Sequence, residues 1–200
     1  MTLREIAMYC KIKQSEREAD KYKQQSDLYE SVLTGEVTEF VVPSEWTNIR
    51  DAMFHSCVNL TNVIIPNNIK TIKGSAFGKC TSLTNVTFPN SIRYMGGYMF
   101  NGCTSLVSVT IPNSVISIGT YMFNGCTNLT NVTLGNNFNC NNLDLSVSTK
   151  YSVDTLVAML TALADRTGQT AYTLTIGATN LAKLSDDQRA IATDKNWTLA

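Results

Sequence analysis

Apolar positions recur at a constant step of 23 in sequence number from Phe40 to Phe138, and they do so in the same order each time. Units beginning at Ile64, Thr87 and Thr110 each open on a short alternating stretch. In the unit before Pro66 this stretch is Leu60, Val63 and Ile65, an alternation that predicts a strand with one buried face. A proline at 66, 89 or 112 follows and ends the ladder, since it has no N–H to donate. The chain then returns through an arm read as irregular, with Ile69 and Ile72, Ile92 and Met95, and Val115 and Ile118 pointing inward. Gly74, Gly96, Gly97 and Gly119 fall where it bends, and Phe77, Phe100 and Phe123 close the turn. Cys57, Cys80, Cys103 and Cys126 fix the step. An earlier turn aligns through Phe40, Val42, Pro43, Trp46, Ile49 and Phe54, and a fading one through Val132, Leu134 and Phe138. A period in the twenties predicts a solenoid, and one strand per turn in a constant direction predicts a parallel sheet. No unit could bury its own apolar face, so the stack is the folding unit.

The flanks follow other patterns. Residues 1–36 hold 13 of the 32 charges and predict a helix, with Gly35 as its stop. Ile12, Ala19, Tyr22, Tyr29 and Leu33 trace a heptad seam interrupted by Ser15 and Ser26. This segment is expected to lead into the first repeat; association into an oligomer through it is the alternative. Residues 37–142 form the repeats, and 143–200 a capping unit. There Leu143 and Leu145 predict a strand, and Val153, Leu156, Val157, Leu160 and Leu163 a helix that stops at Gly168. Leu174 and Ile176 predict the next strand. Ser185 with Gln188 makes a capping box for a helix to about Lys195, Asn196 a left-handed stop, and Trp197 and Leu199 a last strand. The steps from Leu174 to Trp197 and Ile176 to Leu199 are read as the same 23, with helices replacing the return arm.

Charge narrows the partner classes. Sixteen basic and sixteen acidic residues cancel, and from Tyr94 to Leu143 there is no Asp, Glu, Lys or Arg. Nucleic acid, which requires a basic stripe, is therefore not an expected partner. No stretch is long and apolar enough to span a bilayer. Charges at Arg4, Glu5, Lys11 and Lys13 leave no room for a secretory apolar core. The chain is expected to be soluble and cytoplasmic as synthesised, with a cell surface or a phage particle as the alternative. Asn-x-Thr triplets such as 85–87 and 131–133 arise from the repeat itself.

Candidate chemistry is sparse. The cysteine column has no C-x-x-C pairing and reads as buried free thiols, while Cys10 and Cys140 lie outside it and are expected to be the reactive pair. His55, the sole histidine, reads as an exposed turn residue. Neither a phosphate loop nor a carboxylate pair stands out, so no cofactor, no metal and no enzymatic activity are expected. Met53, Met99 and Met122 read as core filler. Tyr98 and Tyr121 share a column and are read as half-buried over the Phe ladder, with an exposed aromatic ridge as the other outcome. Strand alternation points two columns outward. One is Glu39, Asn62, Asn85, Ser108 and Asn131; the other is Val41, Ile64, Thr87, Thr110 and Thr133. They form either a partner surface or a solvated sheet tiled by Asn and Thr, and their small uncharged side chains weaken a sugar-stacking site on that face.

The segments AFGKCTSLTNVTFPNSI (76–92) and MFNGCTSLVSVTIPNSV (99–115) resemble the BspA-like class of bacterial leucine-rich repeats. This resemblance implies an α/β fold, a curved solenoid used for binding, often at bacterial surfaces or in host contact. It also implies that the sheet face is the binding surface, carried here by Asn62, Ile64, Asn85, Thr87, Ser108, Thr110, Asn131 and Thr133. The stretch from Thr167 to Ala200 resembles C-terminal segments of bacterial and phage-associated proteins with such repeats. The expected function is a non-enzymatic module binding a protein or other macromolecule, bacterial or prophage-encoded. The alternative is an oligomeric structural component of a virion or surface appendage, assembled through residues 1–36.

Overall fold

The computed structural model describes residues 30–32 and 38–200. Three parallel sheets make up the described molecule. Strands β1 (Glu39–Val41), β3 (Asn62–Ile64), β5 (Asn85–Thr87), β7 (Ser108–Ile111) and β9 (Asn131–Leu134) form a five-stranded sheet in that order. Its register advances by the same step of 23 at each pairing, as in Phe40 with Val63, Val86 with Val109 and Val109 with Val132. The return arms, left irregular by the sequence, carry two-residue strands of their own. These are β2 (Asn48–Ile49), β4 (Thr71–Ile72), β6 (Tyr94–Met95) and β8 (Ser117–Ile118), which pair as a four-stranded parallel sheet. Each brings one inward residue, Ile49, Ile72, Met95 or Ile118, so two sheets clamp one core.

A ladder of phenylalanines runs up that core. Phe54, Phe77, Phe100 and Phe123 are buried, with adjacent ring centroids 5.4 to 5.7 Å apart and the planes within 11° of parallel. Met53, Met99 and Met122, which precede the phenylalanines, are buried beside it. The turn holding the ladder needs two left-handed residues per rung. Ala52, Ser75, Tyr98 and Tyr121 fill the first column at φ 53 to 56°, and Ser56, Lys79, Gly102 and Gly125 fill the second. Glycine is needed for a different reason at 119. A Cβ there would lie 2.1 Å from the Gly97 nitrogen and 2.6 Å from its Cα, so successive rungs touch backbone to backbone. Gly119→Ala should therefore cost about 1–3 kcal/mol as overpacking that backbone cannot relieve, visible as a lower urea midpoint; an unchanged midpoint would contradict this packing.

After β9 the five-stranded sheet ends. Helix α1 (Val153–Ala162), capped by the Ser152 hydroxyl accepting from the Thr155 N–H, packs against β9 where a sixth strand would lie. The remaining strands, β10 (Leu143–Asp144), β11 (Tyr172–Thr175) and β12 (Trp197–Leu199), form a separate parallel sheet. Leu143 pairs with Leu174 and Leu174 with Leu199, steps of 31 and 25 in sequence number. The expected step of 23 is thus corrected here, because helical connections need more chain than an extended arm. Between β11 and β12 lie α2 (Ala178–Leu181), a single turn not anticipated from the sequence, and α3 (Asp186–Thr193). Ser185 and Gln188 make the reciprocal capping box of α3, and Asn196 takes the left-handed stop at φ 61°.

Cationic side chains tie this unit together through carbonyls. Lys195 Nζ donates to Thr161 O and Leu163 O at the C-terminal end of α1, where the helix leaves acceptors unpaired. Lys183 Nζ donates to Thr149 O and Tyr151 O, and buried Asn180 to Ser148 O. Arg166 is buried and donates to Thr170 O and Asn139 Oδ1, and its guanidinium carbon lies 3.3 Å from the Tyr172 ring centroid.

At the other end, residues 30–32 are helical and Val32 is buried in the core. The whole heptad seam from Ile12 to Leu33, the Gly35 stop, Cys10 and the oligomerisation expected of residues 1–36 fall outside the described residues.

Candidate functional site

Alternation along the five-stranded sheet settles which side chains face outward. Phe40, Val63, Val86, Val109 and Val132 enter the core, and their neighbours face away. Glu39, Asn85 and Asn131 are exposed in the first outward column, with Asn62 and Ser108 half-buried. In the second, Val41 and Ile64 are 56% and 50% exposed, and Thr87, Thr110 and Thr133 are exposed as well. Backbone pairing holds these residues in files one strand apart, so the face is a grid of amides, hydroxyls and, at one end, aliphatic groups.

Several polar side chains elsewhere in the repeat tie neighbouring rungs together. Asn68 Nδ2 donates to Ser44 O and Trp46 O, Ser91 Oγ to Ile69 O, and Asn128 Nδ2 to Thr104 O, each bond joining neighbouring rungs. On the sheet face the pattern differs. Among the described residues, the side chains of Asn62, Asn85, Ser108 and Asn131, and of Thr87, Thr110 and Thr133, make no hydrogen bond to protein. Their donors and acceptors are directed to solvent or to a ligand.

Two shallow hollows mark the face. One, of about 410 Å³, is lined by Asn62, Ile64, Thr87 and Pro89. The other, of about 280 Å³, lies where Asn131 and Thr133 meet Asp154, Thr155 and Ala158 of α1. Helix α1 therefore walls one end of the grid and places the Asp154 carboxylate there, at the opposite end from Glu39 on β1.

The other candidate residues sort differently. Cys57, Cys80, Cys103 and Cys126 are buried free thiols, and the thiols of the last three donate to the carbonyls of Phe54, Phe77 and Phe100 at 2.9, 3.0 and 3.1 Å. Burial pushes the Cys103 thiol up to about 12 and Cys126 further still. Within the Cys57–Cys80 pair, the hydrogen bond they share draws Cys57 down and Cys80 up. Cys140, expected to be reactive, is instead buried, hydrogen-bonded to the Ile118 backbone and pushed up by burial to about 11. In the fifth turn the inward position of the return arm comes one residue early, and Cys140 takes the place under Ile118 where a step of 23 would put Asn141. His55, expected to be exposed, is half-buried, with its Nδ1 2.9 Å from Ser56 Oγ and its ring filling the space over Gly78. Among the described residues no three His, Cys, Asp or Glu side chains stand together as a metal site.

Tyr98 and Tyr121 form the exposed ridge in place of the half-buried arrangement. They are 43% and 56% exposed and stack on each other, centroids 5.2 Å apart at 29°. Ser75, in the same column one rung earlier, is the signal in the sequence that this column is not core. The stack contributes about 0.5–1.5 kcal/mol. Left-handed backbone costs each tyrosine about 1–2 kcal/mol that glycine would not incur. Stability alone therefore gives little reason for two tyrosines at this corner.

The sequence profile described as "BspA type Leucine rich repeat region (6 copies)" matches residues 33–149. None of the curated proteins compared matches the chain. Among solved structures, the leucine-rich repeat protein of T. pallidum (TpLRR) is similar at 23% identity and a TM-score of 0.56, over 82% of this chain and 72% of that one. A leucine-rich repeat protein from Eubacterium ventriosum shares 26% identity over 49% of this chain, TM-score 0.47. The chain spans only 26% of that protein. A leucine-rich cell surface protein from Faecalibacterium prausnitzii shares 19% identity, TM-score 0.40, over 83% of this chain and 65% of its own length. The T. pallidum likeness is one of fold.

Proposed function

The chain belongs to the BspA-type leucine-rich repeat family, whose repeats generally serve as protein-interaction modules, and from that premise we propose that it is a non-enzymatic binding module whose five-stranded sheet face receives a protein or other macromolecule. The reading includes a bacterial or prophage source and use at a cell surface or on a phage particle. Among the described residues, no helix is long and apolar enough to cross a membrane.

One observation carries the choice of face. Asn68, Ser91 and Asn128 on the arms and turns are tied to neighbouring rungs, whereas the Asn, Ser and Thr side chains of both outward files on the sheet face keep their hydrogen-bonding groups open. A continuous grid of open donors and acceptors offers a partner hydrogen bonds without first breaking any within the protein. Ile64 and Val41 add apolar area at one end, and Asp154 adds a charge at the other.

The test replaces one column with alternating charges, Asn62→Lys, Asn85→Glu, Ser108→Lys and Asn131→Glu, a pattern that, with Glu39 opposite Asn62 on β1, avoids like charges on adjacent strands. Partners captured from bacterial and host-surface extracts would be purified and titrated by biolayer interferometry. Affinity should fall by at least about thirty-fold, as for loss of a central interface patch, while thermal unfolding stays near that of the parent. Undiminished affinity in the folded variant would sink the assignment of this face.

A further inference from the structure

A second surface, at the turn opposite in the chain to the sheet strands, has a different character. Tyr98 and Tyr121 stack there, and the column ends at Tyr121, the more exposed of the two. On the other side Ser75 is too small to cover the Tyr98 ring. Tyr94, 49% exposed on the outward side of β6, flanks the same Gly96–Gly97 bend. Beside the tyrosines runs an amide ladder: Asn101 and Asn124 close the two turns through backbone bonds to Tyr98 O and Tyr121 O. Asn124 Nδ2 donates to Asn101 Oδ1 at 2.8 Å, which leaves Asn101 Nδ2 and Asn124 Oδ1 unengaged among the described residues.

We propose that this corner is a carbohydrate-binding site for a neutral oligosaccharide, with a pyranose ring stacked on the Tyr98–Tyr121 pair and its hydroxyls bonded to the amides of Asn101 and Asn124. The apolar C–H face of a pyranose matches an aromatic ring, and its vicinal hydroxyls match a planar amide that both donates and accepts. The ligand class follows from charge. From Tyr94 to Leu143 the chain has no Asp, Glu, Lys or Arg, and the neighbouring rung brings a single cation, Lys79, against Gly102, so a polyanionic ligand finds little counter-charge at this corner and nucleic acid no basic track. The proposal is independent of the sheet face, which lies on other strands and has no aromatic group.

Saturation-transfer difference NMR and calorimetry with cello-, chito-, manno- and xylo-oligosaccharides of four to six units would test it. At least one series should bind saturably. Tyr121→Ala and Tyr98→Ala should each weaken that binding about ten-fold or more, and Tyr121→Phe should retain it within about three-fold, since the ring supplies the stack. Ala is a safe probe of this corner because Ala52 occupies the equivalent position at φ 53°. The sheet-face charge variant should bind the same sugar unchanged, so failure of one site is distinguishable from failure of the other. Absence of saturation transfer from all four series overturns the proposal. So does sugar binding that survives Tyr121→Ala, or a protein partner that requires Tyr121 when no sugar binds.

Discussion

Phe100→Ala should lower the free energy of unfolding by about 3–5 kcal/mol, read as a shift of the urea transition. Phe100 is fully buried, stacks on Phe77 and Phe123 at 5.7 Å each, and meets Phe88 at 6.1 Å in a tilted contact. Truncation would remove the middle of the ladder from two rungs at once. Because each rung contacts only its neighbours, the loss falls on both interfaces of the central turn. The hydrogen bond from the Cys126 thiol ends on the Phe100 carbonyl, not its ring, and survives the change. Tyr98→Ala, two residues earlier in the same turn, should cost about 1 kcal/mol or less, since it loses one exposed stack. Equal costs at the two positions would mean that the inward column has been misassigned.

The contrast between Phe100 and Tyr98 shows how far the sequence can be read. A column that repeats Phe in every rung announces core, and alternation through Asn62, Asn85, Ser108 and Asn131 announces an outward file. Both are consequences of period alone. The four-stranded sheet is less legible because Ile49, Ile72, Met95 and Ile118 each contribute one inward residue to a two-residue strand, too little to set up an alternation. Cys140 misleads for a related reason: one missing residue in the fifth turn moves the inward position without changing the composition around it. The register of β12 misleads because Trp197 and Leu199 match the preceding strand equally well at 23 and at 25, and only the length of α2 and α3 with their connections decides. Whether an outward Asn is open or tied to the next rung depends on contacts between residues 22 to 24 apart, which no single repeat encodes.

Raising the pH above about 9 should destabilise the protein steeply, even though its net formal charge at neutrality is zero. In the unfolded chain a thiol releases its proton near pH 8.5. In the folded chain burial holds Cys140 up to about 11, Cys103 up to about 12 and Cys126 higher. Their folded values are raised, so above the unfolded value the folded state binds more protons than the unfolded one, and stability falls as pH rises. The loss is about 1.4 kcal/mol per pH unit for each thiol. Three thiols together give about 4 kcal/mol per pH unit between roughly pH 9 and 11. Cys80, held up by its hydrogen bond with Cys57 and by burial, adds a loss of the same sign, whereas Cys57, drawn down, is ionised in both states over this window and adds none. The loss of about 8 kcal/mol from those three thiols alone over that window is comparable with the whole stability of an ordinary domain, so unfolding is expected before pH 11. Below pH 8 the same groups are protonated in both states and the profile should be flat with respect to them. Circular dichroism with urea at fixed pH values, in the presence of reductant, would measure the slope. Cys103→Ala should be less stable at pH 7 through lost packing yet show an alkaline slope shallower by about 1.4 kcal/mol per pH unit. Iodoacetamide should label Cys103, Cys126 and Cys140 only as the protein unfolds along that limb, since both the proton and the burial protect them. A stability profile that stays level through pH 10 would show that these thiols ionise in place, and that the column is open to water.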